Sequence, residues 1–366
     1  MFFSTFAAFI NANNIKTMNK HFLFALVILA LCLSFNKVSA QDQPQAYKVG
    51  LVGFYNLENL FDTIDDPLKN DEEFLPQGAN QWNTEKYMTK LHNMAYAIST
   101  IGTEWSPDGV AVLGLSEMEN RQVLEDLVAQ PEIADRHYQV VHYDSPDRRG
   151  VDVGLIYNPK YFKLISSKSY PTVVPGDTAF ITRDQLLVSG LFDGEMMHFI
   201  VMHWPSRFGG ERRSMPGRIA AATLCRHIAD SILREDANAK IIMMGDFNDY
   251  PDNRSVTNYL RASGDMNDLR DGEFFNPMYA LHKKGIGTNY YRDVPAVLDQ
   301  TVLTPALLPT DYSTYQFKNA MVHNKEFLKQ HGGRYNAFPF RTFAGGVWMG
   351  GYSDHFPVYV ILLKKV

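Results

Sequence analysis

Lys240-Ile241-Ile242-Met243-Met244-Gly245-Asp246-Phe247-Asn248 is the stretch on which the fold turns. Four consecutive apolar residues stop at a glycine and a polar turn. A strand apolar on successive positions presents apolar side chains to both faces of its sheet, so a further layer must cover each face. Similar β-rich runs lie outward from it at 49–55, 110–116, 153–157, 186–192, 198–203, 297–303 and 357–362. Helical patterns interleave with these strands. Asn83 or Thr84 can cap a helix in which Tyr87, Leu91, Met94 and Ile98 recur at helical spacing, and Gly102 ends it. A second helix is predicted to start near Gly217, with Ile219, Leu224, Ile228 and Ile232 as a stripe widened by Ala221, Ala222 and Ala229. Loops are expected at Gly150, Gly209-Gly210 and Gly345-Gly346. The fold class that follows is α/β.

The 366 residues are 45% hydrophobic and 20% charged, a balance that excludes a disordered or collagen-like chain. No repeat period is visible, which removes solenoids and propellers. At the N-terminus Lys16, Lys20 and His21 precede an apolar run over 22–35, and Val38-Ser39-Ala40 supplies small residues before Gln41. That pattern reads as a cleaved secretory signal over residues 1–40, leaving 41–366 as the mature chain, exported to the periplasm or beyond. The run is shorter than the ~20 residues that span a bilayer, so a retained membrane anchor is the weaker reading. Cleavage lowers the basic residues from 35 to 32 against 40 acids, for a net charge of −8. Such an acidic chain has no broad positive face for coating nucleic acid, so any polyanion must meet local arginines or metal ions. Cys225 alone remains, which rules out an internal disulfide or a Cys-based zinc site.

Polar residues gather at the strand ends. Asn56 and Glu58 follow the first strand, Glu117 the second and His203 the 198–203 strand. Asp246 and Asn248 follow the 240–245 strand, and Asp354-His355 precede the last. In α/β proteins such residues converge on the crevice where ligands bind. Taken singly, each has a plainer reading. Asn56 could cap a turn, Glu58 could be a surface charge, and His203 beside Trp204 could be a core histidine bonded to backbone.

Their combination and order resemble the endonuclease/exonuclease/phosphatase superfamily of metal-dependent phosphoesterases. The likeness rests on Phe54-Tyr55-Asn56-Leu57-Glu58, Leu115-Ser116-Glu117, Met202-His203-Trp204-Pro205, Gly245-Asp246-Phe247-Asn248 and Ser353-Asp354-His355. Tyr290-Tyr291-Arg292 followed by Leu298-Asp299-Gln300 is similar to the segment whose Asp orients the final His. The resemblance implies a four-layer α/β sandwich, two packed mixed β-sheets flanked by helices, as one catalytic domain over 41–366. By the same resemblance Glu117 is the principal metal ligand, with Asn56 and Glu58 nearby and Asp354 completing an outer or second site. Asp246, helped by Asn248, would activate the water. Asp299 would position His355 for charge stabilisation or leaving-group protonation, and His203 would contact the phosphate from the opposite side. Hard oxygen ligands favour Mg²⁺, with Mn²⁺ as the other candidate.

Arg207, Arg212, Arg213 and Arg218 surround Gly209-Gly210 and are candidates for binding substrate phosphate, or else line a solvated loop. Arg148 and Arg149 carry the same ambiguity, and Glu119 and Asp249 read as solvent-facing neighbours of the site. Apurinic-site endonucleases typically carry Tyr where this chain has His203 and Asn where it has Ser206, so the resemblance points away from base-excision repair. The long segment 304–352, with Arg334-Tyr335 and Phe338-Pro339-Phe340-Arg341, is expected to shape a substrate pocket. The leading expectation is a nuclease on DNA or RNA, and the alternative is a phosphatase or sphingomyelinase-like phosphodiesterase on small or lipid phosphoesters. A non-catalytic binding module is the control reading. The chain is expected to act as a monomer.

Overall fold

The computed structural model describes residues 45–366, and the secretory signal predicted for 1–40 lies outside the described residues. In chain order the first half contains β1 (Tyr47–Leu60), α1 (Thr84–Thr100), β2 (Val112–Met118), α2 (Arg121–Val128), β3 (Gln139–His142), β4 (Asp152–Tyr157), β5 (Phe162–Tyr170), β6 (Gln185–Phe192) and β7 (Glu195–His203). There follow α3 (Glu211–Glu235), β8 (Lys240–Asp246), β9 (Ala262–Ser263), β10 (Phe274–Phe275), α4 (Met278–Lys283), β11 (Asn289–Tyr291) and β12 (Val294–Ala296). The chain closes with β13 (Asp299–Leu303), β14 (Gln316–Val322), β15 (Phe343–Ala344), β16 (Val347–Trp348) and β17 (Val358–Lys365).

Two large sheets result, in the orders β14-β17-β1-β2-β4-β3 and β5-β6-β7-β8-β13-β10-β9. Both are mixed: β1 runs parallel to β2 and antiparallel to β17, while β8 runs parallel to β7 and antiparallel to β13. The reason for the doubly apolar strands is now visible. On β1, Val52 and Phe54 face the core between the sheets, whereas Leu51 and Tyr55 face the helix side with Leu91, Met94 and Ile98 of α1. On β8, Ile242 and Met244 face the inter-sheet core, whereas Ile241 and Met243 meet Cys225 and Ile228 of α3. Each fully buried side chain of this size contributes roughly 1.5–3 kcal/mol of transfer free energy. The layers are helix, sheet, sheet, helix, the sandwich that the resemblance implied.

The sheets meet closely at Gly114 on β2. A Cβ there would lie 3.1 Å from Met244 Sδ and from both methyl groups of Val201, so this glycine sets how near the two sheets come. Asn83 caps α1 by accepting from the Lys86 N–H at 3.0 Å. Gly102 follows the helix with φ 71°, a left-handed backbone that suits glycine.

Two expectations are corrected by the architecture. Helix α3 starts at Glu211 and not near Gly217, with Pro216 inside it. The missing Pro216 N–H leaves only a carbonyl near the exposed helix start without its helical partner, a loss water can make good. Strands β3, β5 and β14 escape the sequence reading because all three lie at sheet edges, where one face or rim is open and the sequence turns polar. Among the described residues no helix is long and apolar enough to cross a membrane.

His323, one residue past β14, is buried against Tyr359 with its Nε2 2.8 Å from Thr100 Oγ1. Burial, with Lys325 adding to it, pushes its imidazole down to about 4. A lowered histidine favours the folded state above its unfolded pKa of ~6.5, and that contribution is lost as pH falls from ~6.5 towards 4. The wild type is therefore expected to lose up to about 3 kcal/mol over this window through this one group. Urea unfolding of wild type and His323→Gln at pH 7 and pH 5 checks it: the variant should show a flatter pH dependence. Equal slopes would refute it.

Candidate active site

One rim of the sandwich collects the strand ends. Register places Asp246 beside His203 on β7 and beside Asp299 on β13, and places Asn56 beside Ser116. The first sheet supplies Asn56, Glu117 and the Asp354-His355 turn, and the second supplies His203, Asp246 and Asp299. Ser353 ties the turn down, donating to the Asn56 carbonyl at 2.7 Å and accepting from the His355 N–H at 3.1 Å. Glu58, Asn59, Glu117 and Asn248 all have φ between 49° and 59°. Four non-glycine residues held left-handed around one crevice are strained conformations that surrounding contacts must maintain.

Asn56 is fully buried, and its Nδ2 donates to Glu117 Oε1 at 3.2 Å and Asp246 Oδ2 at 3.3 Å. His203 Nε2 lies 3.8 Å from Glu117 Oε1 and 3.7 Å from Asp246 Oδ2. From the other side His355 Nε2 lies 3.9 Å from Asp246 Oδ2, while its Nδ1 lies 2.6 Å from Asp299 Oδ2. Asn248 donates its backbone N–H to Asp246 Oδ1 at 2.9 Å and its side-chain amide to the Trp204 carbonyl at 2.9 Å.

The electrostatics separate these groups into roles. Burial pushes the Asp246 carboxyl up to about 7, with Asp299 and Glu117 adding to it and His355 opposing. Burial alone would lower His355, but Asp299, Asp354 and Asp246 outweigh it and hold the imidazole well above its usual range. His203 goes the other way, well below the usual range, through burial first and then the charges of Arg183, Arg149 and His355. One histidine is thus held charged and the other neutral, beside a carboxylate poised near neutrality.

The donor set suits a hard divalent cation. Glu117, His203 and Asp246 each offer a ligand atom within 4.8 Å of the others, and two of the three donors are carboxylate oxygens. Asn56 turns its amide N–H to those carboxylates and its Oδ1 to the Glu58 N–H at 2.9 Å. Glu117 would therefore be the chief carboxylate holding a metal, which leaves Asp246 beside it to face the attacking water.

Several expected residues sit elsewhere. Each Glu58 oxygen accepts one hydrogen bond, from Arg341 Nε at 3.3 Å and from the Thr342 N–H at 2.6 Å, so Glu58 anchors segment 304–352. Arg218 is fully buried with its Nε 2.8 Å from Asp249 Oδ1, which removes it from any substrate. Arg207 reaches the same carboxylate at 3.0 Å and also donates to the Asn248 carbonyl, bracing the 246–249 turn. Arg212 and Arg213 are exposed at the start of α3. Arg148 is exposed too, and exposed Arg149 stands 3.7 Å from Asp147. Asp249 and Glu119 are buried and not solvent-facing. Asp249 is the counter-ion of two arginines, and Glu119 accepts from the Asp62 N–H at 2.7 Å. Asp354 pairs with Arg341 Nη2 at 2.9 Å, and its Oδ1 stands 3.8 Å from His355 Nε2.

The sequence reading missed Asn289, whose Nδ2 lies 2.8 Å from His355 Nε2, and buried Arg183, which donates to Asp147 and to the Trp204 carbonyl. It also missed Lys90, fully buried on α1 and donating to Thr342 Oγ1 and the Tyr352 carbonyl, both at 2.5 Å. Lys90 sat in an otherwise apolar helix stripe between Tyr87 and Leu91, a signal that could have found it.

A family model for the endonuclease/exonuclease/phosphatase family matches residues 51–364. The chain belongs to that family. Members of the endonuclease/exonuclease/phosphatase family are metal-dependent hydrolases of phosphoester bonds. A mannosyl-6-phosphatase from Bacteroides thetaiotaomicron shares the fold with a TM-score of 0.51 and 16% identity, over 86% of this chain and 99% of that one. TDP2 from Caenorhabditis elegans gives 0.52 and 12%, over 95% and 90%. A second Bacteroides thetaiotaomicron member of the endonuclease/exonuclease/phosphatase family gives 0.50 and 14%, over 88% and 97%. No curated protein matched the sequence.

Proposed function

We propose that this chain is an exported Mg²⁺-dependent phosphoesterase that hydrolyses small phosphoesters by in-line water attack. The observation that carries the substrate class is a pocket of about 420 Å³ opening beside Asp354, walled in part by Tyr335, Phe338 and Arg341 of segment 304–352. A compact, partly aromatic pocket suits a small leaving group better than a continuous polymer. Charge supports the same choice. Two of the four loop arginines are paired with Asp249 and the chain is net negative, which favours a small anionic ester over an extended polyanion.

When bound, Mg²⁺ supplies charge neutralisation and polarisation of the P–O bond. Asp246, near neutrality and held by the Asn248 N–H, takes the proton of the attacking water. His355, kept charged by Asp299, stabilises the charge that develops and protonates the leaving oxygen. Neutral His203 retains one ring N–H to donate to a phosphoryl oxygen. Export rests on the signal pattern of residues 1–40.

The test is hydrolysis by purified residues 41–366 of sugar phosphates, a phosphodiester ester and plasmid DNA, each with Mg²⁺ and with EDTA. Turnover of the small esters that EDTA abolishes is the expected result. Rapid cutting of DNA with no small-ester turnover would favour the nuclease class instead, and activity indifferent to EDTA would refute metal dependence.

A further inference from the structure

Arg341 is the one pocket-lining cation fastened to the reacting centre. Its Nε donates to Glu58 Oε1 and its Nη2 to Asp354 Oδ2, so one edge of the guanidinium is anchored on two carboxylates. Nη1 has no hydrogen-bond partner among the described residues, and the side chain is 44% exposed where it lines the pocket. Asp354 bridges the remaining distance, since its other oxygen stands 3.8 Å from His355 Nε2.

The anchorage is unusually well built for a surface arginine. Glu58 is buried, held in a left-handed backbone, and accepts the Thr342 N–H next to Arg341 in sequence. Fully buried Lys90 then grips the Thr342 hydroxyl and the Tyr352 carbonyl, clamping both ends of the 342–352 strip to α1. An ion pair that only balanced charge would not need its arginine held by a strained glutamate and a buried lysine, because a solvated pair gains less than about 1 kcal/mol. The arrangement instead pre-orients a fork of N–H donors.

A phosphomonoester brings close to two negative charges at neutral pH, and a phosphodiester brings one. Glu117, Asp246 and Asp299 make the rim acidic, so the second charge needs a charge-assisted donor at its mouth, which the free Nη1 of Arg341 offers. We propose that Arg341 binds the non-bridging oxygens of a terminal phosphate and makes this site selective for phosphomonoesters. Glu58 is its positioning residue. The inference rests on the phosphoesterase reading above and deepens it.

The experiment measures inorganic phosphate binding to the Mg²⁺-loaded protein by calorimetry, alongside kcat and KM on p-nitrophenyl phosphate and bis-p-nitrophenyl phosphate. Wild type, Arg341→Gln, Arg341→Lys and Glu58→Gln are compared. Losing a charge-assisted contact is expected to weaken phosphate binding by Arg341→Gln roughly ten- to hundredfold and to lower monoester kcat/KM by a similar factor. Diester kcat/KM should stay near wild type. Arg341→Lys should recover part of the loss, which separates missing charge from a disturbed fold. Glu58→Gln should raise the monoester KM with little change in kcat. Unchanged phosphate affinity, or equal losses on both esters, would overturn the proposal. If wild type hydrolyses neither ester, the phosphoesterase reading has failed, and the phosphate titration still decides Arg341.

Discussion

Asp246→Asn is expected to lower kcat/KM on any accepted phosphoester by roughly 10²–10⁴-fold, the range for loss of a general base. The amide keeps an oxygen for the Asn248 N–H that now donates to Asp246 Oδ1 at 2.9 Å, so the turn should persist. What disappears is the proton acceptor near neutrality. Stability should change little, because relief of a buried ionisable carboxyl beside Asp299 and Glu117 is offset by loss of the hydrogen bond that Asn56 Nδ2 donates to Oδ2. Steady-state kinetics with Mg²⁺, paired with thermal melts, checks both halves. Activity within tenfold of wild type would show that Asp246 is not the base.

Asp299→Asn should produce the second-largest loss, roughly hundredfold or more, with a change in the shape of the pH profile. Asp299 Oδ2 lies 2.6 Å from His355 Nδ1 and heads the charges that keep this imidazole protonated against burial. If the protonated ring is the active form, activity persists above the usual histidine range and is lost as pH rises through the raised value. Without the aspartate the largest of the charges that oppose burial is gone, and the high-pH limb moves down. The variant should therefore be worst at alkaline pH and recover partially on acidification. A profile that falls uniformly, with its upper limb in place, would assign Asp299 a structural role.

How much of this could be read from residues alone follows from where each element lies. The central strands β1, β2, β7 and β8 are buried on both faces, and burial on both faces writes uninterrupted apolar runs such as Ile241–Met244. The edge strands β5 and β14, Phe-Lys-Leu-Ile-Ser-Ser-Lys-Ser-Tyr and Gln-Phe-Lys-Asn-Ala-Met-Val, have no such constraint and look like loops. In the site, Asn56, Glu117, His203, Asp246, Asp299 and His355 were visible because each abuts a legible strand, and the structure brings all six together. Residues whose job depends on contacts distant in sequence were misread. Arg218 looked like a phosphate ligand until its counter-ion Asp249 was placed 2.8 Å away, and the anchoring of Glu58 to Arg341 and Thr342, nearly 300 residues on, has no local signal. Local pattern encodes burial, whereas pairing across the fold is encoded only by topology.

The two sheets divide the reacting groups between them, with Glu117 on one and Asp246 on the other, and Gly114 sets the spacing against Met244 and Val201. The crevice is in effect the jaw of a caliper whose opening is read at the inter-sheet core. A methyl group added at Gly114, some distance from any reacting atom, would widen that jaw by tenths of an ångström and pull the carboxylates apart. The separation of the two carboxylates in this chain is thus tied to the thickness of the hydrophobic filling between its sheets.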